Sequence, residues 1–274
     1  MAYRQVIWAE RRSWFHHVAT GAACLALVAA MSQGAVARPQ PQPVNSGTVK
    51  AIVDGDTVVL RSGVEIRLVG IQAPKLPLGR RGFQAWPLAS ESKEALARLT
   101  LGKTLTLSYG GRKIDRHGRL LAHLATKDGR WVQGALLSAG MARVYTFPDN
   151  RGRAAEMLAQ ERAARGARRG IWNLRYYRIL KPEEAGRFIG TFQLIEGKIL
   201  QAALVRGRAY LNFGANWKTD FTITMSPKSR RRHWRGEKPV QDYEGRRVRV
   251  RGWLKSFNGP MIEATHPEQI EVLP

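Results

Sequence analysis

The stretch Asp54-Gly-Asp-Thr-Val-Val-Leu60, followed after a short hairpin by Arg67-Leu-Val-Gly-Ile-Gln-Ala-Pro74, is the most informative part of this chain. The first segment puts two carboxylates, Asp54 and Asp56, in a tight turn that leads into a strand, because Asp and Gly favour turns. The second segment puts a guanidinium, Arg67, on the neighbouring strand, which ends in a loop. The stretch therefore predicts a β-hairpin that gathers charges of both signs around one spot.

A second arginine, Arg119, lies in the later turn Asp115-Arg-His-Gly-Arg119. Carboxylate oxygens suit a hard metal ion, and two arginines stabilise the charge that develops on a phosphoryl group in the transition state. These residue types are the ones that phosphodiester cleavage needs, and ordinary turn chemistry at Asp54–Asp56 is the structural alternative. For the arginines, the alternative is that Arg67 and Arg119 pair with Glu65, Asp115 or backbone carbonyls.

The order of these segments resembles the staphylococcal nuclease-like family, also called thermonucleases, over residues 47–172. Further landmarks of that family follow in the same order. They are Trp131-Val-Gln133 before a helix, Gly140-Met-Ala-Arg-Val-Tyr145, an acidic and basic helix from Arg151, and Gly170-Ile-Trp172. The resemblance implies an OB-fold β-barrel and hydrolysis of the phosphodiester bonds of nucleic acid.

The same resemblance implies a calcium ion held by Asp56, with Arg67 and Arg119 as the catalytic residues. Two positions depart from the family pattern. Gln72 stands where the family has an aspartate that binds calcium, and Lys75 stands where it has a glutamate that positions the attacking water. An amide oxygen holds calcium less tightly than a carboxylate, and an ammonium repels the ion and accepts no proton while charged. The expected cofactor site is therefore a weak Ca²⁺ site at Asp56 and Gln72.

The sequence leaves three interpretations of Lys75 open. The site is degenerate and binds without cutting, or the ammonium holds a phosphoryl oxygen in place of calcium, or the side chain points into solvent. The resemblance also places Arg116, His117, Tyr145 and Phe147 where the family contacts the nucleotide. For Tyr145 and Phe147, a place in the hydrophobic core is the alternative. Lys75, which departs from the family pattern, is a further predicted contact to nucleic acid.

The composition predicts a polyanionic partner. The chain has 45 Lys and Arg against 21 Asp and Glu, which gives a formal net charge of +24. This charge attracts nucleic acid (DNA or RNA) or another polyanion. The attraction should weaken steeply with salt, because neutralising phosphates releases counterions.

Residues 1–37 have the features of a secretory signal: a basic start, the apolar run Val18–Met31 and the cleavage site Ala35-Val-Ala37. The run is short for a membrane helix, so we expect cleavage and no stable membrane span, with an uncleaved anchor as the alternative. A stiff Pro-rich linker at 38–46 follows. The predicted location is the periplasm or the medium. The single cysteine, Cys24, lies in the signal, so no disulfide is expected afterwards.

The rest of the chain predicts a mainly β protein with helices, of the α+β class. We expect an OB-fold barrel of the staphylococcal nuclease type at 47–172, a basic connector at 173–187 and a second small β-rich, OB-like domain at 188–274. The aromatic residues of Trp253–Phe257 are expected in core and loop packing. In the second domain the expected strands are Phe192–Gln201, Arg208–Phe213, Phe221–Met225, Arg246–Lys255, Met261–Ala264 and Gln269–Leu273, with a polar, helical segment at Pro227–Tyr243.

Two functions follow from these observations. The first is an exported nuclease-like protein that hydrolyses nucleic acid at a weakened calcium site. The alternative is a binding module at the cell envelope that holds nucleic acid or another polyanion without cutting it. Whether the chain is an enzyme is therefore left open by Gln72 and Lys75.

Overall fold

The computed structural model describes residues 41–236 and 239–274. These described residues form one compact unit. The predicted signal at 1–37 and the first residues of the predicted linker lie outside the described residues. No helix in the described ranges combines the length and the apolar character that crossing a membrane requires.

Five strands close into a barrel in the order β1-β2-β3-β6-β5. In β5, the buried Leu105 and Leu107 alternate with the exposed Thr104, Thr106 and Ser108, as expected for a strand with one face on a core. A short sixth strand, β4, pairs with β7 beside the barrel. This arrangement confirms the predicted OB-type barrel. The strands are β1 Ser46–Asp54, β2 Thr57–Leu60, β3 Glu65–Leu68, β4 Ile71–Gln72, β5 Thr104–Ser108, β6 Leu120–Ala125 and β7 Arg143–Val144.

Three helices accompany this barrel: α1 Ala89–Thr100, α2 Val132–Ser138 and α3 Ala154–Gly166. Each turns a buried face inward. In α1, Ala89, Ser92, Leu96 and Thr100 recur at helical spacing and are buried. Apolar residues of all three helices share one core with the barrel strands. This packing positions the loops that carry the charged residues.

The predicted connector at 173–187 forms short 3-10 helices, at Arg175–Tyr177 and Pro182–Phe188. It packs closely: Tyr177 is buried, and its hydroxyl donates to the Pro87 carbonyl at 2.8 Å. A second hydrophobic core begins at Leu180, inside the connector. The domain boundaries themselves stay predictions.

Seven further strands form one sheet, called here the C-terminal sheet. Its order is β14-β12-β13-β11-β10-β9, with β8 paired along β12, so the β-rich character of this region is confirmed. The predicted strand Phe192–Gln201 is in fact two strands, because the chain turns after Lys198. The strands are β8 Phe192–Lys198, β9 Gln201–Val205, β10 Arg208–Asn212, β11 Thr222–Met225, β12 Arg247–Ser256, β13 Pro260–Glu263 and β14 Ile270–Val272, and helix α4 is Pro227–His233.

A buried ion network joins α3 to the C-terminal sheet. Arg251 of β12 is 1% exposed and donates to both carboxylate oxygens of Glu161, at 3.0 and 2.9 Å. The same guanidinium donates to Glu271 of β14 at 2.5 Å. Because β12 runs on for two residues to Trp253, this network also sets where that side chain lies.

Candidate functional site

Asp56 lies in the two-residue turn between β1 and β2 and is fully buried. Its Oδ2 accepts from the Ala73 backbone N–H at 2.7 Å and lies 3.2 Å from Arg67 Nη2. Gly55 allows this packing, because a Cβ there would lie 2.1 Å from the Ser92 hydroxyl oxygen. The turn thus encloses a carboxylate that is held on several sides.

Lys75 provides the closest cation to that carboxylate. Its Nζ lies 3.0 Å from Oδ1 and 2.8 Å from Oδ2 of Asp56, and 3.6 Å from Oδ2 of Asp54. Its backbone carbonyl accepts from the Trp86 N–H at 2.9 Å, which holds the loop in place. The interpretation that Lys75 points into solvent is therefore excluded. The ammonium sits against both carboxylates of the turn.

The two carboxylates differ in pKa. Burial alone would raise the pKa of Asp56, but the charges of Arg67 and Lys75 outweigh it and lower that pKa to about 2. Burial, and then the negative charge of Asp56, raise the pKa of Asp54 above its ordinary value. The turn thus contains one firmly ionised carboxylate and one that takes up a proton more readily.

Arg67 is held mainly by the protein itself. Its Nη1 donates to the carbonyls of Leu68 and Asp56, at 2.5 and 3.3 Å, and its Nη2 donates to the Ile71 carbonyl at 2.6 Å. Nη2 also lies 3.2 Å from the Asp56 carboxylate. Among the described residues, Nε is the donor of Arg67 that has no hydrogen-bond partner.

Gln72 is buried beside a different cation. Its Oε1 accepts from Nε and Nη2 of Arg143, at 2.9 and 2.7 Å. Burial lowers the pKa of Arg143 to about 10, so its guanidinium stays charged at neutral pH. The ring of Phe192 lies 4.7 Å from that guanidinium carbon. The oxygen predicted as a weak calcium ligand thus already accepts two hydrogen bonds.

The turn at Asp115–Arg119 presents cations to solvent. Asp115 Oδ1 accepts from the backbone N–H groups of His117 and Arg119, at 2.8 and 3.0 Å, which shapes the turn. The Arg119 guanidinium lies 2.7 Å from Asp115 Oδ2 through Nη2 and 3.9 Å from Glu65 through Nη1. Arg116 and His117 are exposed. This turn combines a fixed backbone with accessible positive charge.

A cavity of about 480 Å³ brings most of the predicted site residues together. We call it the arginine cleft. Asp56, Gln72 and Lys75 are not among the described residues that line it. The turn of Asp54, Gly55 and Asp56, called here the acidic turn, contacts the lining residue Arg67 through the ion pair of Asp56. The lining includes Arg67, Arg112, Arg116, His117, Arg119, Tyr145, Phe147 and Trp253.

Known proteins match the part of the chain that carries this site. The model of the staphylococcal nuclease homologue family matches residues 65–174. Protein ParB of Escherichia coli is 35% identical over 140 residues, which is 46% of this chain and 72% of ParB. The chain belongs to the staphylococcal nuclease family. The family match begins at β3, but the barrel of this nuclease-family protein also includes β1 and β2, with the acidic turn between them.

Two further relatives carry nuclease names. Probable staphylococcal-like nuclease CAN1 of Oryza sativa subsp. japonica is 35% identical over 114 residues, 42% of this chain and 30% of its own length. Endonuclease YhcR of Bacillus subtilis (strain 168) is 31% identical over 147 residues, 50% of this chain and 12% of its own length. The chain thus spans less than a third of each of these two relatives.

The residues of the acidic turn in this nuclease-family protein do not fit a calcium ion. Calcium takes six to eight oxygen ligands. Here the Asp56 carboxylate is taken up by Lys75 and Arg67, and the Gln72 oxygen by Arg143. Across residues 41–236 and 239–274, no group of three or more His, Cys, Asp or Glu is placed to hold a metal. The Lys75 ammonium instead supplies the positive charge beside the two carboxylates of the turn.

Two residues of the arginine cleft were missed in the sequence. Arg112 precedes the Asp115–Arg119 turn and lines the cleft, but no motif in the sequence singled it out. Trp253 was expected in core or loop packing, but 45% of it is exposed and it also lines the cleft. No local pattern could reveal this, because Trp253 reaches the cleft from the C-terminal sheet.

Proposed function

We propose that this nuclease-family protein binds nucleic acid in the arginine cleft and hydrolyses its phosphodiester bonds slowly and without calcium. One observation carries the proposal: Lys75 Nζ lies 2.8 Å from Oδ2 of the buried Asp56. The ammonium neutralises the carboxylate that would otherwise attract a metal ion. The substrate class follows from the family and from the net charge of +24.

In the proposed reaction, the arginines of the cleft hold the phosphate. Arg119 and Arg116 donate hydrogen bonds to the phosphate oxygens, and Arg67 donates to them through its Nε. A water molecule adds to phosphorus, the ester bond breaks, and the leaving oxygen takes up a proton. The arginines stabilise the negative charge of the transition state.

The reaction is expected to be slow because Lys75 stands at the family's base position. A charged ammonium accepts no proton from the attacking water. General-base help contributes on the order of a hundred- to ten-thousand-fold in rate. The proposed turnover is therefore lower than that of a nuclease with the full set of carboxylates by a factor in this range.

A second function, binding without cleavage, is supported by the partners of Arg67. Its Nη groups donate to three backbone carbonyls, which is a structural role. In this alternative the fold serves as a surface for nucleic acid or another polyanion. The two functions differ in whether the bound strand is cut.

The deciding experiment is digestion of single- and double-stranded DNA and RNA in excess calcium and in excess EDTA. We expect slow cleavage at equal rates in both, and loss of cleavage in Arg119→Ala. Arg61→Ala, an exposed arginine outside the cleft, is the charge-matched control and should cut normally. Cleavage more than tenfold faster with calcium would overturn the proposal. Binding without cleavage in either buffer would favour the alternative function.

We also propose that the protein is exported to the periplasm or the medium. The support is the sequence of residues 1–37, with its basic start, apolar run and cleavage site. The mass of the protein recovered from expressing cells tests this. A chain that starts at Arg38 is expected, and a chain that retains Met1 would contradict the proposal.

A further inference from the structure

We propose that Trp253 of the C-terminal sheet adds a stacking surface for a nucleobase of single-stranded nucleic acid, beside Phe147, which the family resemblance already places at the nucleotide. This inference rests on the proposed function, since it says where the nucleobase lies when the arginines of the cleft hold the neighbouring phosphate. It makes the C-terminal sheet a part of the substrate site.

The two rings are exposed in the same cleft that carries the arginines. Trp253 is 45% exposed and Phe147 is 48% exposed, although both are large apolar side chains. Both line the cavity of about 480 Å³ together with Arg116 and Arg119. An aromatic surface beside guanidinium groups is the combination that binds a single strand, with stacked bases and neutralised phosphates.

Trp253 is held in position from two sides. Its indole Nε1–H donates to the Tyr145 hydroxyl at 2.9 Å. Phe192, directly opposite on β8, packs its ring 6.4 Å from the indole, edge to face. Tyr145 in turn packs edge to face against Phe147 and Phe192, each at 4.9 Å. The indole is thus fixed through its edge.

The strand below Trp253 is also fixed. Arg251, two residues earlier on β12, lies in the buried network with Glu161 and Glu271. Residues two apart on a strand point to the same side, so the anchor and the indole face the barrel together. A binding surface ordered in advance loses less entropy when the ligand binds.

The geometry favours an unpaired base over a duplex. A base inside a duplex is stacked on its neighbours and cannot offer its flat face to a side chain. A base of a single strand can, and aromatic stacking tolerates any base because every base has a π-face. The expected ligand is therefore single-stranded DNA or RNA of mixed sequence.

The test compares three fluorescently labelled probes by anisotropy in EDTA: a single-stranded oligonucleotide, the same sequence as a duplex, and an abasic deoxyribose-phosphate strand of equal length. We expect Trp253→Ala to weaken binding of the base-containing single strand by about five- to a hundredfold. Binding of the abasic strand and of the duplex should change by less than twofold. Trp253→Phe, which keeps a ring but not the N–H donor, should retain most of the affinity.

Trp217→Ala is the matched control. Trp217 is also an exposed tryptophan of the C-terminal region, 53% exposed, but it does not line the cleft. The Trp217→Ala protein should bind all three probes with the affinity of the wild type. If Trp253→Ala binds the single strand as the wild type does, the inference is overturned while the proposed function stands. If the wild type binds none of the probes, the proposed function fails and the inference fails with it.

Discussion

At the scale of single residues, the acidic turn resolves a conflict between burial and charge. Two carboxylates in a buried turn repel each other and lose hydration. Lys75 and Arg67 remove that penalty for Asp56, whose carboxylate accepts from an ammonium and a backbone N–H and forms an ion pair with the Arg67 guanidinium. The same contact has a chemical consequence, because the Lys75 ammonium that stabilises the turn lies against the carboxylates of Asp54 and Asp56.

Asp56→Asn is predicted to destabilise the protein by about 3–5 kcal/mol at pH 7, since it leaves Lys75 and Arg67 without their buried anion. The folded pKa of Asp56, about 2, lies below its ordinary 3.8. The stability that this carboxylate contributes is therefore present above pH 4 and lost as the pH falls towards 2. The free-energy gap between wild type and variant should shrink by roughly 2 kcal/mol over that window. Urea unfolding at a series of pH values measures it.

Glu94→Gln serves as the control for this pH series. Glu94 pairs with Arg98 on the exposed face of α1, where an ion pair contributes little. Its unfolding free energy should follow that of the wild type at every pH. A gap between wild type and Asp56→Asn that stays constant from pH 7 to pH 2 would contradict the stated role of Asp56.

At the scale of secondary-structure elements, buried hydrogen bonds link the barrel region to the C-terminal region. Glu161 of α3 accepts from Arg251, from Arg165 at 2.9 Å and from the Val144 N–H at 2.6 Å. The Thr146 hydroxyl and His266 Nε2 form a further hydrogen bond of 2.8 Å. Burial lowers the pKa of His266 to about 4, so this contact involves a neutral imidazole at physiological pH.

Arg251→Met is predicted to cost about 3–5 kcal/mol of stability, because it leaves Glu161 and Glu271 buried with less compensating charge. The double variant Arg251→Met/Glu161→Gln should recover part of this loss, since the uncompensated carboxylate is removed as well. Thermal and urea unfolding of both variants provide the measurement. Arg98→Met, which breaks only an exposed pair, is expected to cost no more than about 1 kcal/mol. A loss that small in Arg251→Met would refute the argument.

At the scale of the whole molecule, the net charge of +24 acts on any nucleic acid that approaches, whatever its sequence. Only charges that contact phosphates determine how binding depends on salt, because those contacts release counterions. The cleft arginines and the remaining surface cations therefore make separable contributions.

Arg116→Ala is predicted to reduce the slope of log binding constant against log salt concentration by about 0.7 for a single strand, the contribution of one phosphate contact. Arg61→Ala lowers the net charge equally but lies outside the cleft, so its slope should match the wild type. Anisotropy titrations over a range of NaCl concentrations distinguish the two. Equal slopes for all three proteins would show that Arg116 does not contact phosphate.

Much of the fold was determined by local sequence. The alternation of Leu105 and Leu107 with threonines, the Asp54–Asp56 turn and the helical spacing in α1 each specify an element through short-range chemistry. The predicted strand Phe221–Met225 also forms, as β11 Thr222–Met225. The order of these segments also sufficed to recognise the family, because order along the chain is itself a property of the sequence.

The partners of the charged side chains were decided only by the tertiary structure. The sequence contains Gln72 and Lys75 but does not show that one side chain meets Arg143 and the other meets Asp56. Nor does it show that Trp253, more than a hundred residues after Tyr145, donates to the tyrosine hydroxyl. Periodicity records which face of an element is buried, whereas such contacts depend on how separate elements pack. The residue types of the site could therefore be predicted from the sequence. The ion pairs of its charged side chains and the position of Trp253 in the cleft depend on how the folded elements pack.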